Sequence, residues 1–163
     1  MKLDEFNTMD RQKARELLLR CCAAPRWAET VLAGRPYRSR EQLQESAETL
    51  LTEADAMDGL AGHPRIGERD DRLDDRSRSE QGGVLGAPAD VLAALARENA
   101  AYERRFGHVY LVCASGRGAE ELLGVLRSRL ENSARDERGV VRAELAAINR
   151  LRLDRLLTAE VVT

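Results

Sequence analysis

Val109-Tyr110-Leu111-Val112-Cys113-Ala114 is the one stretch of this sequence that reads as a buried strand, and whether it has a sister decides the fold. A strand needs a neighbour to take up its main-chain N–H and C=O groups. No second run of this kind is evident elsewhere in the chain. Ala, Leu, Arg and Glu dominate while Val, Ile, Thr and aromatic residues are sparse, so intrinsic preference summed over most windows favours helix. The run is therefore expected as a buried helix start or an extended core segment inside an all-α protein.

Working outward, Ser115-Gly116-Arg117-Gly118 breaks the run, and Leu122, Leu123, Leu126 and Leu130 mark the next helix. The last helix is expected from about Glu137 to Leu157. Upstream, Pro88 suits the first turn of a helix in which Val91, Leu95, Tyr102 and Phe106 recur at helical spacing. Ser39 with Gln42 three residues on makes a capping-box pattern ahead of a helix to about Leu60. Asn7 or Thr8 caps a first helix through about Cys22, with Leu17 and Leu18 for its buried face and Pro25 beyond its end. Gly34-Arg35-Pro36-Tyr37 reads as a short connector. Two regions interrupt the pattern: Gly62-His63-Pro64-Arg65-Ile66-Gly67, and the charged stretch from Glu68 to Gln81 that ends on Gly82-Gly83.

The 163 residues fit one domain, residues 1–163, with no internal repeat and no low-complexity linker. Against 28 acidic residues stand 26 basic ones with the signs interspersed, which argues against a nucleic-acid partner, since that would need a sustained positive stripe. Only Lys2 and Lys13 are lysines, a skew that reads as compositional bias. Cys21, Cys22 and Cys113 are an odd set without CxxC spacing, and vicinal cysteines rarely bridge, so they read as small apolar residues in a reducing compartment. With no basic start followed by an apolar run, no membrane-spanning stretch and a Val-Val-Thr end that is no peroxisomal address, the expectation is a cytoplasmic protein away from membranes.

At 100° per residue, Val141, Leu145, Ile148 and Leu156 define one buried stripe of the last helix, and Arg152 falls in the middle of it. Arg150 points to the opposite, solvated side. A guanidinium facing a core must be paired, either with a structural carboxylate or with an anionic ligand that its planar fork can hold. His63 stands between Gly62 and Pro64, where proline keeps it out of helical geometry, on a turn or helix end. Its reference pKa of about 6.5 suits it to proton transfer, and its bland alternative is a capping or surface histidine. His108 has no comparable setting. Two histidines without HxxxH or HExxH spacing and no paired cysteines make a zinc site improbable. Neither GxxxxGK[ST], GxGxxG nor GxSxG is present, and Ser115-Gly116-Arg117-Gly118 reads as a turn whose amides can bind something polar.

In order, four fragments resemble one family: His63-Pro64-Arg65-Ile66-Gly67, then Ser77-Arg78-Ser79-Glu80-Gln81, then Tyr102…Phe106-Gly107-His108 running on through Val109 to Arg117, then Leu151-Arg152-Leu153. With Cys21-Cys22, Trp27 and Arg35-Pro36 upstream, the likeness to the 2-oxo-4-hydroxy-4-carboxy-5-ureidoimidazoline (OHCU) decarboxylases covers nearly the whole chain. The resemblance implies a homodimeric all-helical fold, no cofactor and no metal, and stereospecific conversion of OHCU to (S)-allantoin and carbon dioxide. It makes His63 the catalytic proton donor and Pro64 its neighbour at the substrate. Ser77, Arg78, Ser79, Glu80 and Gln81 become the substrate-binding segment, Val112, Cys113, Ala114, Ser115 and Gly116 a source of main-chain contacts, and Arg152 the arginine of the final helix. Glu80 and Arg152 join His63 as the catalytic set. The resemblance also raises association with a hydroxyisourate hydrolase, the preceding step of urate degradation. The chain departs from the family pattern at Gly82-Gly83, where an alanine and a continuing helix are expected.

Two other readings compete on residues alone. One is a non-catalytic helical interaction module, with His63 a turn residue and Arg152 half of an internal ion pair. The other is a lyase acting on another carboxylated heterocycle.

Overall fold

The computed structural model describes residues 1–60, 63–67 and 82–158. Among the described residues lie nine helices and no strand, and none of these helices is long and apolar enough to cross a membrane. The chain divides into two units: Met1–Gly62 with Arg142–Thr163, and His63–Val141.

The first unit opens with α1 (Leu3–Thr8) and α2 (Arg11–Cys21) where one helix is expected. The side chains explain the break. Asn7 does not cap a helix; its amide donates to the Tyr37 carbonyl at 2.8 Å and accepts from the Tyr37 amide at 2.9 Å. Thr8 donates back to the Asp4 carbonyl. Asp10 is the true cap of α2, accepting from the Lys13 amide at 3.1 Å. Pro25 lies beyond the end of α2 as expected and is also the first residue of α3 (Pro25–Ala33), where its missing N–H costs nothing. Ser39 caps α4 (Arg40–Thr49) as its spacing predicts. That helix stops eleven residues short of Leu60, because Thr52 and Asp55 form a capping box that starts α5 (Glu53–Gly59). The core of this unit includes Phe6, Leu18, Trp27, Leu43 and Leu145, all fully buried, and the indole N–H of Trp27 donates to the Ala47 carbonyl at 2.8 Å.

Arginine forks take up main-chain carbonyls at several helix ends of this unit. Arg35 reaches the Phe6 and Met9 carbonyls at 2.8 and 2.9 Å. Arg142 reaches those of Leu51 and Glu48 at 2.6 and 3.3 Å, and Arg40 that of Leu157 at 2.9 Å. The last carbonyls of a helix have no partner within it, so each such bond satisfies a group that would otherwise depend on water.

In the second unit, α6 (Gly82–Leu85), α7 (Ala89–Phe106) and α8 (Ala119–Arg129) are followed by the start of α9 (Ala134–Thr158), which passes into the first unit after Val141. Helix α9 begins three residues earlier than expected because the Ser133 hydroxyl accepts from the Asp136 amide. Residues 109–114 are extended and have no strand beside them, the second of the two forms expected. The side chains of Tyr110, Val112 and Ala114 join Leu95, Tyr102, Leu122 and Leu126 in one apolar core.

A polar cluster is buried in that core. Arg129 donates to Glu137 through Nε at 2.8 Å and Nη2 at 2.5 Å, and Tyr102 donates to the same carboxylate oxygen. Asn132 reaches the other oxygen at 2.8 Å. Glu137 is fully buried in the first turn of α9, where the helix dipole favours a negative charge. Burial works against the Arg129 charge, but Glu137 more than offsets it and holds the guanidinium above its ordinary pKa. Burial, reinforced by the bond to Glu137, also raises the Tyr102 hydroxyl.

Two predictions follow from this packing. Burial alone would raise the Asp55 pKa, but the bonds from Arg26 and Thr52 outweigh it and hold the carboxyl below its ordinary value of about 3.9. Its stabilisation is therefore complete above that value and lost as pH falls through the folded-state pKa. Asp55→Ala should lower stability by about 1–2 kcal/mol at neutral pH, the size of a lost helix cap. In urea titrations the gap to wild type should close toward pH 2. The second concerns the glycine pair. A Cβ at Gly83 would overlap the main-chain carbonyl oxygen of Arg117, whereas one at Gly82 meets no described atom within 4 Å. Gly83→Ala should cost about 1–3 kcal/mol, like other overpacking. Gly82→Ala should be neutral or stabilise by up to about 1 kcal/mol in thermal melts.

Candidate active site

His63 and Pro64 belong to the second unit and are half-buried on non-helical backbone, as a histidine before proline is expected to be. Their position is set by the residues that follow. The Arg65 fork holds Glu103 through Nε to Oε1 at 2.5 Å and Nη2 to Oε2 at 3.0 Å. That bond holds the Glu103 carboxyl below its ordinary pKa. Next in the chain, the buried Ile66 gives its carbonyl to the Asn99 amide at 3.0 Å. Asn99 and Glu103 are one turn apart on α7, so one helical face carries both anchors. Beside them a cleft of about 390 Å³ is lined by Arg65, Ile66, Gly67, Leu92, Asn99 and Glu103. Among the described residues, none of those expected to bind substrate lines it.

The second element is Val112-Cys113-Ala114-Ser115-Gly116. Val112 and Ala114 are buried, Cys113 is half-buried, and Ser115 and Gly116 are exposed. The segment ends in a turn closed by the Arg117 amide on the Ala114 carbonyl at 3.0 Å. Gly116 takes φ +79°, a left-handed conformation that a side chain would strain. At its other end, Arg129 Nη1 donates to the Leu111 carbonyl at 2.6 Å. Gly83 packs against the Arg117 carbonyl, so the departure from the family pattern at this position meets a local requirement for the smallest residue.

Arg152 belongs to the first unit, buried on α9 with Nη1 donating to the Cys21 carbonyl at 2.9 Å. Val141, Leu145 and Ile148 share its burial, as their helical phase predicts. Leu156 does not: it is half-buried, and Leu153 and Leu157 fill the interior instead. Arg150 is exposed and lies 4.0 Å from Glu48, so the two arginines differ as their phases require. One turn before Arg152, Asn149 is buried with no nitrogen or oxygen partner for its amide among the described residues. The thiol of Cys22 lies beside it, and burial raises that thiol's pKa. No disulfide joins any of the three cysteines.

Of the expected site residues, His63, Pro64 and Val112 to Gly116 therefore lie in the second unit and Arg152 in the first. Ser77, Arg78, Ser79, Glu80 and Gln81 lie outside the described residues. The chemistry these groups bring is an imidazole for proton transfer, main-chain amides at a tight turn, and a guanidinium suited to an anionic ring. Among the described residues, no three His, Cys, Asp or Glu side chains come together as metal ligands. The sequence reading passed over Arg129 and Glu137, although a signal was available. Arg129 is seven and three residues after Leu122 and Leu126, and Glu137 four and eight before Val141 and Leu145, so both fall on buried stripes just as Arg152 does.

Comparison with known proteins gives one consistent picture. The family model described as OHCU decarboxylase matches residues 7–154. The chain is 29% identical over 150 residues to the uric acid degradation bifunctional protein TTL of Arabidopsis thaliana, covering 86% of this chain and 45% of that protein. It thus spans less than half of that relative. It is 29% identical over 138 residues to the 2-oxo-4-hydroxy-4-carboxy-5-ureidoimidazoline decarboxylase of Amia calva, covering 80% of this chain and 79% of the relative. A crystal structure of OHCU decarboxylase in the presence of (S)-allantoin shares the fold, with a TM-score of 0.75 at 23% identity over 89% of this chain and 99% of that one. The all-α architecture read from the lone extended run is the architecture of that enzyme, and with a family match running through nearly its whole length, this chain belongs to the OHCU decarboxylase family.

Proposed function

We propose that this protein is a carboxy-lyase that converts OHCU to (S)-allantoin and carbon dioxide without a cofactor, the step that follows urate oxidation and hydrolysis. The observation that carries the reading is the family match over residues 7–154, which takes in His63, the Ser77–Gln81 segment, Val112 to Gly116 and Arg152. We read the chain as one functional domain acting as a cytoplasmic homodimer. A hydroxyisourate hydrolase would supply its substrate and associate with it.

The substrate's own chemistry explains why side chains suffice. Breaking the bond between ring carbon 4 and its carboxylate releases carbon dioxide and leaves the electron pair in conjugation with the neighbouring C=N. The hydroxyl on carbon 4 becomes the product carbonyl as its proton is lost. The C=N nitrogen takes up one proton as it receives that electron pair, a second proton added to the ureido-bearing carbon completes allantoin, and delivery of this second proton from one face sets the S configuration. In this proposal His63 delivers that proton, with Pro64 keeping the imidazole outside a helix. Arg152 and the main-chain groups of Val112 to Gly116 hold the anionic heterocycle, while Ser77, Arg78, Ser79, Glu80 and Gln81 orient its polar edge.

OHCU decays on its own to racemic allantoin, so product quantity does not test the proposal and optical activity does. With OHCU generated in place from urate by urate oxidase and hydroxyisourate hydrolase, the protein should give rapid circular dichroism of one allantoin enantiomer. His63→Ala should lower that rate by about 10²- to 10⁴-fold, the usual worth of a positioned acid, with helicity unchanged. If wild type yields only the slow racemic background, the decarboxylase reading fails.

A further inference from the structure

The buried cluster of Arg129, Glu137 and Tyr102 uses more bonds than charge neutralisation requires. Glu137 Oε1 receives two N–H bonds from Arg129 and one from the Tyr102 hydroxyl, and Oε2 receives Asn132. The Arg129 guanidinium carbon lies 4.9 Å from the Tyr110 ring centre and 5.8 Å from that of Tyr102, so two aromatic rings flank the fork. These contacts fix the guanidinium in both place and orientation. The remaining arm, Nη1, falls on the Leu111 carbonyl at 2.6 Å.

Leu111 immediately precedes Val112 to Gly116, which are extended backbone and turn without a strand beside them. The Ala114–Arg117 turn closes this segment locally at its far end. The bond from Arg129 ties its near end to a residue 18 positions away, on α8. Buried ion pairs add little net stability compared with apolar residues of the same shape, so stability alone is a poor reason for this arrangement. Fixing the position of a main-chain segment is a better one.

We propose that Arg129, aimed by Glu137 and Tyr102, is a positioning residue for substrate: by holding the Leu111 carbonyl it sets where the main-chain groups of Val112 to Gly116 meet OHCU. The proposal rests on the reading above that this segment contacts substrate. Arg129 touches no reacting atom and acts only through the backbone. Lysine at this position keeps the charge beside Glu137 but cannot engage Glu137 through two donors while also reaching Leu111 in the plane of a fork.

The test compares wild type, Arg129→Lys, Tyr102→Phe and, as control, Arg127→Lys, whose side chain is exposed on the same helix. Amide hydrogen exchange of the peptide spanning residues 111–117 is measured together with stereospecific turnover. Arg129→Lys should exchange faster there, raise KM by about tenfold, toward the 10²-fold that a 1 Å misplacement can cost, and lower kcat less. The enantiomeric excess of the product should also fall. Tyr102→Phe should move exchange and KM the same way by a smaller factor, and decides the matter if Arg129→Lys does not fold. Arg127→Lys should match wild type. A folded Arg129→Lys with wild-type exchange in this peptide overturns the proposal, as does a loss confined to kcat with KM and enantiomeric excess intact, the signature of a smaller active fraction. If wild type itself makes no (S)-allantoin, the functional reading fails, and the exchange measurement still decides whether Arg129 holds the segment.

Discussion

A peptide group taken out of water must find a hydrogen-bond partner, and an extended run inside a helical protein cannot find one in itself. Residues 109–114 impose that constraint on the second unit. A sheet would satisfy them with another strand. Here Arg129 of α8 serves instead at the Leu111 carbonyl, and the Arg117 amide of the following turn serves the Ala114 carbonyl. Supplying a guanidinium to the interior then requires a buried carboxylate, and Glu137 at the start of α9 is that carboxylate. One irregular segment thereby accounts for the Arg129–Glu137 pair inside an otherwise apolar core.

The benefit of such a segment lies in what a helix cannot offer. Helical N–H and C=O groups are consumed by their own ladder, whereas a short run ending in a left-handed glycine turn leaves main-chain groups to face a ligand. His63 is served by a similar device. It sits ahead of Pro64 on non-helical backbone, and its neighbours Arg65 and Ile66 are anchored to Glu103 and Asn99 of α7. In both places an irregular stretch is fixed by neighbouring residues, so the groups proposed to meet substrate need not serve as their own anchors.

How much of this was legible in the sequence depends on how local the signal is. Helical phase placed Arg152 inside and Arg150 outside, because that argument needs only the spacing of apolar residues on one helix. The same argument reaches Arg129 and Glu137 once a charged residue on an apolar stripe is treated as a finding wherever it occurs. Boundaries failed where two chemical signals competed. Asn7 has the right residue type for a cap, yet its amide fits the Tyr37 backbone thirty positions away, a contact that no local pattern encodes. Pro25 is compatible with a helix end or a helix start, and only the fold selects the start. Gly83 looked like a departure from pattern because the carbonyl that demands it belongs to Arg117. Spacing along one helix carries no information about another, so the phase that turns Arg152 inward does not reveal the Cys21 carbonyl as its partner.

The near absence of lysine has a consequence of a different kind. Guanidinium groups stay protonated far above the range in which amines titrate. The tie that Arg129 makes to the Leu111 carbonyl therefore persists in alkali that would neutralise a lysine equivalent. Side-chain amines occur only at Lys2 and Lys13, both in the first unit. Any dye, cross-linker or solid support coupled through lysine would attach near that end of the sequence and leave every residue from His63 to Val141 chemically untouched.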